Sequence, residues 1–253
     1  MIQELQTAHG RRISYEKIIG DSGINIIFLG GFKSDMGGSK AVYLHDFCQK
    51  HNHNFIRFDY SGHGVSSGKF VDGTIGQWLQ DALEVLDNLS VGKQILVGSS
   101  MGGWIMLKLA LLRPERIQSL VGIAAAPDFT QSLIWEQFSP QQKTEMEHKG
   151  VVYLPSCYDE APYPITRALL EDGQKQCIIN SKEILTINCP IRLLHGMADI
   201  DVPWQTALRI AEKVSSQDVQ ITFLKDGDHR LSEPEQLELL GNVISSQATR
   251  QYY

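Results

Sequence analysis

Basic clusters are scarce in this chain. Its 23 lysines and arginines are outnumbered by 29 acidic residues, for a formal net charge of −6, and no Lys/Arg run exceeds Arg11-Arg12. Phosphate binding takes clustered cations, so no nucleic-acid partner is expected. Long apolar runs are also missing. None approaches the roughly 20 residues that cross a bilayer, which argues against stable membrane insertion. The opening stretch MIQELQTAHGRRISYEKI has no apolar h-region and alternates as a strand does, so no secretory signal is expected. Cysteine is sparse. The four cysteines, Cys48, Cys157, Cys177 and Cys189, lack metal-ligand spacing and read as free thiols in a reducing, cytoplasmic setting. His45, His51 and His53 are close in sequence but sit where a solvated helix end is expected, and they are not read as a metal site. There is no internal repeat and no low-complexity tract. With 42% hydrophobic and 21% charged residues in a chain of 253, a full globular core is available.

The apolar pattern alternates between strand and helix. Residues 2–7 and 12–19 read as an antiparallel edge around His9-Gly10. INIIFL, from Ile24 to Leu29, is apolar apart from Asn25, as a strand covered on both faces would be. A helix over 39–50 follows, then a strand over 54–60, a helix over 74–89 and a strand at Ile95-Leu96-Val97. Another buried strand, SLVGIAAA, spans 119–126. From Pro127 to about Asn180 the rhythm breaks. That stretch holds a Trp135/Phe138 patch, a polar helix over 140–149 and a Pro- and Tyr-rich piece, with no clean strand–helix unit. A roughly 50-residue interruption of this kind reads as an inserted lid or cap carrying function. Order resumes with a strand at 191–195, a helix at 203–214, a strand at 219–224 and a last helix at 233–246, with Ser232 as N-cap and Pro234 early in the helix. The expectation is an α/β protein with a mostly parallel sheet covered on both faces. Its core comprises 1–126 and 181–253, and its insertion 127–180.

The organising stretch is KQILVGSSMGGW, residues 93–104. It contains Gly98-Ser99-Ser100-Met101-Gly102, a G-x-S-x-G match set between an apolar strand and a helical pattern ended by Pro114. Strand, sharp turn and helix form the context of a nucleophile elbow. The glycines at 98 and 102 leave room for that turn, and Ser100 is raised at a helix start, where negative charge is favoured.

A serine hydroxyl needs a base, and sheets carrying this elbow supply acid and histidine from later strand exits. Asp199 follows IRLLHGMAD and His229 follows ITFLKDGD. Ser100 is therefore read as nucleophile, His229 as general base then acid, and Asp199 as the group orienting the imidazole. Asp201 competes with Asp199, which lies nearer the strand end. Asp226 and Asp228 read as turn residues, and His63 and His195 as structural or pocket-lining. The backbone N–H groups of Met101 and Phe32 are the candidate oxyanion donors, with Gly30-Gly31 allowing close approach. Ser61-Gly62-His63-Gly64 lacks the order and the following helix of a dinucleotide loop, and a nucleotide site is rejected.

Several stretches, FIRFDYSGHGVSSG, TIGQWLQD, ILVGSSMGGWIMLKLA, NCPIRLLHGMAD with VPW, KGVVYLPSCY and DHRLS, together resemble the α/β-hydrolase superfamily. Within it they resemble the serine hydrolase subfamily of the mitochondrial palmitoyl-protein thioesterase, also known as mycophenolic acid acyl-glucuronide esterase. The resemblance covers nearly the whole chain, although no mitochondrial presequence is evident, as in a bacterial relative. It implies hydrolysis of activated acyl esters or S-depalmitoylation at positions matching Ser100, Asp199 and His229. The expected partner is a small-molecule ester or acyl thioester, or an S-acylated protein, with no metal or organic cofactor. Trp135 and Phe138, with Leu133, Ile134 and Met146, are candidate acyl-pocket residues. A small-molecule peptidase, a C–C hydrolase and a non-catalytic ligand receptor use the same scaffold and are the competing readings.

Overall fold

The computed structural model describes residues 1–155 and 162–248. Cys157 and part of KGVVYLPSCY lie outside the described residues. The chain begins with β1 (Gln3–Gln6) and β2 (Arg12–Ile18), an antiparallel pair joined by a turn in which the Gly10 amide donates to the Thr7 carbonyl at 3.0 Å. Then β3 (Asn25–Leu29), α1 (Ser39–Lys50), β4 (Asn54–Phe58), α2 (Ile75–Leu89), β5 (Gln94–Ser99), α3 (Met101–Leu112) and β6 (Ile117–Ile123) alternate as the apolar pattern predicts. The eight strands of the sheet run in the order β1-β2-β4-β3-β5-β6-β9-β10, where β9 is Ile191–Gly196 and β10 is Val219–Leu224. All pairings from β4 to β10 are parallel, and β2 pairs antiparallel with both of its neighbours. The sheet is therefore mostly parallel, and its strand exits share one edge.

Period-two alternation divides each central strand between two cores. In β3, Ile26 and Phe28 join the core under α1 and α7 (Pro234–Ala248), whereas Ile27 and Leu29 face α2 and α3. In β5, Ile95 and Val97 go one way and Leu96 the other. Helix α2 is amphipathic. It buries Ile75, Trp78, Ala82, Val85 and Leu86, and the Thr74 side chain accepts its Gln77 amide. Helix α3 is apolar nearly all round and is sealed between sheet and neighbours. Burial of its large side chains contributes roughly 1.5–3 kcal/mol each.

Several boundaries differ from the sequence expectation by one to three residues, two of them with a visible cause. Strand β6 ends at Ile123 because Ala124 turns to φ 45°, off the extended path. Helix α7 begins at Pro234 with Glu233, not Ser232, as its boundary. The Gln236 and Leu237 amides donate to the Glu233 carbonyl, and the Ser232 hydroxyl donates to Arg230 O instead.

The stretch between β6 and β9 contains more regular structure than its sequence suggests. A π-helical turn (Thr130–Trp135) precedes α4 (Pro140–Lys149), which opens on a Ser139/Gln142 capping box and closes at Gly150, φ 71°. Strands β7 (Val151–Leu154) and β8 (Tyr163–Thr166) form an antiparallel pair, and α5 (Arg167–Gln176) follows, capped by Thr166. The two ends of this segment are drawn together by Asp128. Its buried carboxylate accepts the Ile178 and Asn180 amides, each at 2.8 Å. Helix α6 (Gln205–Lys213) then links β9 to β10. Cys48, Cys177 and Cys189 are free, and burial pushes the Cys48 thiol up to about 12 and Cys189 to about 11.

Candidate active site

Ser100 stands between β5 and α3 at φ 53° and ψ −117°, a conformation costly for any residue with a Cβ. Neighbouring backbone holds it there. The Ser100 amide donates to Ile123 O at 2.9 Å, and its carbonyl accepts the Gly103 and Ala126 amides at 2.8 and 3.0 Å. A Cβ at Gly98 would lie 2.5 Å from Gly102 O, and one at Gly102 would lie 2.0 Å from Leu29 O. Both contacts are with backbone that cannot yield, so strand, turn and helix close up only with glycine at these places.

The β9 and β10 exits are laced together. Met197 donates to Leu224 O at 2.8 Å and Ala198 to Gly227 O at 3.0 Å. This lacing sets Asp199 beside His229. His229 Nδ1 is 2.8 Å from Asp199 Oδ2, and its Nε2 is 3.0 Å from Ser100 Oγ. A carboxylate only accepts, so Nδ1 carries the ring proton and Nε2 is left to accept from the serine hydroxyl. Asp199 Oδ1 accepts the Asp201 and Val202 amides at 2.9 and 2.8 Å. The Asp199 carboxylate is fully buried, and its Oδ2 also lies 3.3 Å from His195 Nε2, which donates to Val202 O at 3.0 Å. Burial raises the Asp199 carboxyl, but the hydrogen bonds from His195 and His229, with the Val202 amide, outweigh it and hold the group well below the usual carboxylate range. Asp201 is exposed, and its carboxylate lies within 4.8 Å of the polar atoms of Asp199 and His229. It is Asp199, however, that meets Nδ1. Asp199, Asp201 and His229 are also the described residues with spacing for a cation, which would compete with the hydrogen bond between Asp199 and His229.

The loop after β3 passes beside the serine, since a Cβ at Gly31 would touch Ser100 Cβ at 3.5 Å. The half-buried Phe32 ring packs edge-on against Phe70, Trp78, Phe129 and Tyr163. Three side chains from β4 and its exit brace this loop. Asp59 accepts the Met36 amide at 2.7 Å, Arg57 donates to Met36 O at 2.9 Å, and His63 Nε2 accepts the Lys33 amide at 3.1 Å. Burial raises the Asp59 carboxyl more than the Val65 and Met36 amides lower it. From the sequence, Asp59 and Asp128 read only as parts of strand exits on the ligand-binding edge, with no role of their own. Acidic residues at strand exits are the only signal they carry.

A cavity of about 460 Å³ opens at Ser100 and His229. Phe129, Leu133, Ile134, Leu154, Tyr163 and Ile165 give it an apolar wall, and Lys33, Ser34, Asp35, Ser39, Lys40 and Arg230 a polar one. Burial, with Arg230 nearby, lowers Lys40 to about 8, and its ammonium donates to Arg230 O and to Ser232 Oγ. Trp135 and Phe138, expected in the acyl pocket, do not line this cavity. Trp135 and Met146 border a separate cleft with Arg167 and Leu170, and Phe138 is buried with its ring 6.0 Å from Trp135. Successive residues of a helical turn point roughly 80–100° apart, so with Leu133 and Ile134 facing the cavity Trp135 is carried round to the other side.

This fold and site match known proteins. Residues 26–152 match a family model described as alpha/beta hydrolase fold. The chain is 42% identical over 233 residues to the human palmitoyl-protein thioesterase ABHD10, mitochondrial, covering 92% of this chain and 75% of that protein. A hydrolase of Agrobacterium vitis S4 superposes with a TM-score of 0.93 at 39% identity over 98% of both chains. The alpha/beta hydrolase domain-containing protein 10 from mouse superposes at 0.89 with 38% identity over 97% of both. The chain belongs to the α/β-hydrolase family and is a hydrolase. Within the family it is similar to the mitochondrial thioesterases over most of its length. Those relatives are mitochondrial by name, so the cytoplasmic setting expected from the sequence finds no support in them. No described helix is long and apolar enough to cross a membrane.

Proposed function

We propose that this hydrolase, which acts on ester or thioester bonds, does so through an acyl-enzyme on Ser100. The observation that carries the reading is the unbroken chain from Ser100 Oγ to His229 Nε2 at 3.0 Å and from His229 Nδ1 to Asp199 Oδ2 at 2.8 Å. Ser100 Oγ bonds to the acyl carbon while its proton passes to His229 Nε2. The oxyanion so formed takes hydrogen bonds from the backbone N–H groups of Met101 and Phe32. Collapse breaks the C–S or C–O bond, and His229 returns the proton to the departing sulfur or oxygen. Water then attacks the acyl carbon as His229 takes its proton, the C–Oγ bond breaks, His229 passes that proton to Ser100 Oγ, and the acid is released. Asp199 stays ionised, holds the imidazole tautomer and stabilises the imidazolium.

Residues 127–180 act as the lid, and its apolar wall of Leu133, Ile134 and Ile165 takes the acyl chain. The substrate is an acyl thioester or carboxylic ester, including S-acylated protein, a class supported by the thioesterase relatives. Intact mass after treatment with a fluorophosphonate tests the reading. One adduct on wild type and none on Ser100→Ala is expected, followed by turnover of acyl thioesters that varies with chain length. A folded wild type that takes no adduct and hydrolyses neither thioester nor ester overturns it.

A further inference from the structure

The loop that carries Phe32 is a four-residue turn. The Ser34 amide donates to Gly31 O at 3.2 Å, and Lys33 sits at φ 58°. That left-handed φ belongs to the third residue of a type II turn, where glycine is the usual occupant. Lysine is strained there, and a half-turn of the peptide between Phe32 and Lys33 would give the unstrained type I form. Something must hold that peptide. The Lys33 N–H points at His63 Nε2, 3.1 Å away.

His63 is built to accept. It is buried, its Nδ1 lies 3.3 Å from the Ser61 carbonyl, and a carbonyl only accepts, so Nδ1 carries the proton and Nε2 presents its lone pair. Burial lowers the imidazole to about 4, which keeps the ring neutral through the working range. The ring is clamped edge-on by Phe70 at 5.1 Å and Trp78 at 5.0 Å, the two aromatics that also grip the Phe32 ring at 4.9 and 5.8 Å. One aromatic cluster thus fixes both the side chain of Phe32 and the peptide that follows it.

We infer that His63 is a positioning residue for acyl transfer: by holding the Phe32–Lys33 peptide, its Nε2 pins the backbone of Phe32, whose own N–H, one peptide earlier, is the proposed oxyanion donor. The inference rests on the oxyanion role proposed above for Phe32. It predicts that His63 contributes to the transition state and not to substrate binding.

The test uses the full chain, with a chromogenic short-chain acyl ester for kinetics and a boronic acid as tetrahedral mimic. His63→Phe keeps a ring but removes the acceptor. His63→Gln returns an acceptor near the place of Nε2. Expected are a kcat loss of roughly 10–100-fold in His63→Phe with KM within about twofold, a parallel loss of boronate affinity, and recovery to within a few-fold in His63→Gln. Because glycine adopts the left-handed φ freely, Lys33→Gly in the His63→Phe background should restore kcat relative to Lys33→Gly alone. That double variant keeps the question open to test if His63→Phe proves unstable. Unchanged kcat in folded His63→Phe, or equal losses of kcat in His63→Phe and His63→Gln that Lys33→Gly does not relieve, overturns the inference. If wild type is neither labelled at Ser100 nor active, the underlying reading has failed instead.

Discussion

One oxygen of Asp199 serves two imidazoles, lying 2.8 Å from His229 Nδ1 and 3.3 Å from His195 Nε2. Only one of these rings reaches the serine. The other is tied to the Val202 carbonyl and fixes the loop that presents the carboxylate.

The double contact makes stability depend on acid. The Asp199 carboxyl titrates below its unfolded value, so its contribution is complete above roughly pH 4 and is lost as the pH falls below that. Asp199→Asn has no such group to lose. The gap in urea midpoint between wild type and Asp199→Asn should narrow from pH 5 to pH 3, and a gap constant over that range contradicts the assignment.

His195→Leu removes the second donor while keeping volume in the core. A kcat loss of about tenfold at unchanged KM is expected, because a charge-assisted hydrogen bond to a buried carboxylate contributes roughly 1.5–3 kcal/mol and part of that orients His229. Steady-state kinetics beside a melting curve separates this from simple unfolding.

At the elbow, Ser100→Ala should lose roughly 10⁵–10⁶-fold in kcat and stay folded. Ser100→Gly should be equally inactive yet more stable than Ser100→Ala by about 1–2 kcal/mol, since glycine tolerates φ 53°. Equal denaturation midpoints for the two variants would show that the turn stores no strain.

Gly102→Ala drives a Cβ into the Leu29 carbonyl. A loss of more than about 3 kcal/mol is expected, with β3 and α3 forced apart, read by chemical denaturation or by failure to accumulate as soluble protein.

Asp128→Ala strands the buried Ile178 amide and removes the acceptor of the part-buried Asn180 bond, for a cost of roughly 1–3 kcal/mol. Amide exchange at 178 and 180 should accelerate more than exchange in β5, and uniform acceleration would mean that the clasp is not local.

The sheet was legible because the central strands are rich in apolar residues and bounded by glycine or polar residues, as in Ile26 to Leu29 before Gly30-Gly31. The positions of Ser100, Asp199 and His229 were legible for a related reason, since parallel strands deliver their exits to one edge. The β7–β8 pair was hidden. Tyr153, Pro155, Pro162 and Pro164 mask the period-two signal, and Gly173 interrupts α5 although it lies against Thr130 in a contact only the fold reveals. Trp135 and Phe138 show a further limit. Aromatic composition announces burial but not direction, and a π-helical turn is invisible to a 3.6-residue pattern.

Strands β6 and β9 are neighbours in the sheet, Leu120 opposite Ile191, although the whole inserted segment separates them in sequence. That segment leaves and returns at neighbouring points, tied where the Asp128 carboxylate accepts the Ile178 and Asn180 amides. It is in effect a cassette. On the lid role proposed above, exchange for a segment of another length or lining should change which acyl groups are admitted while β5, β9 and β10 keep their register. On that proposal, splicing at 127 and 180 would retune the enzyme and leave Ser100, Asp199 and His229, which lie outside the segment, in place.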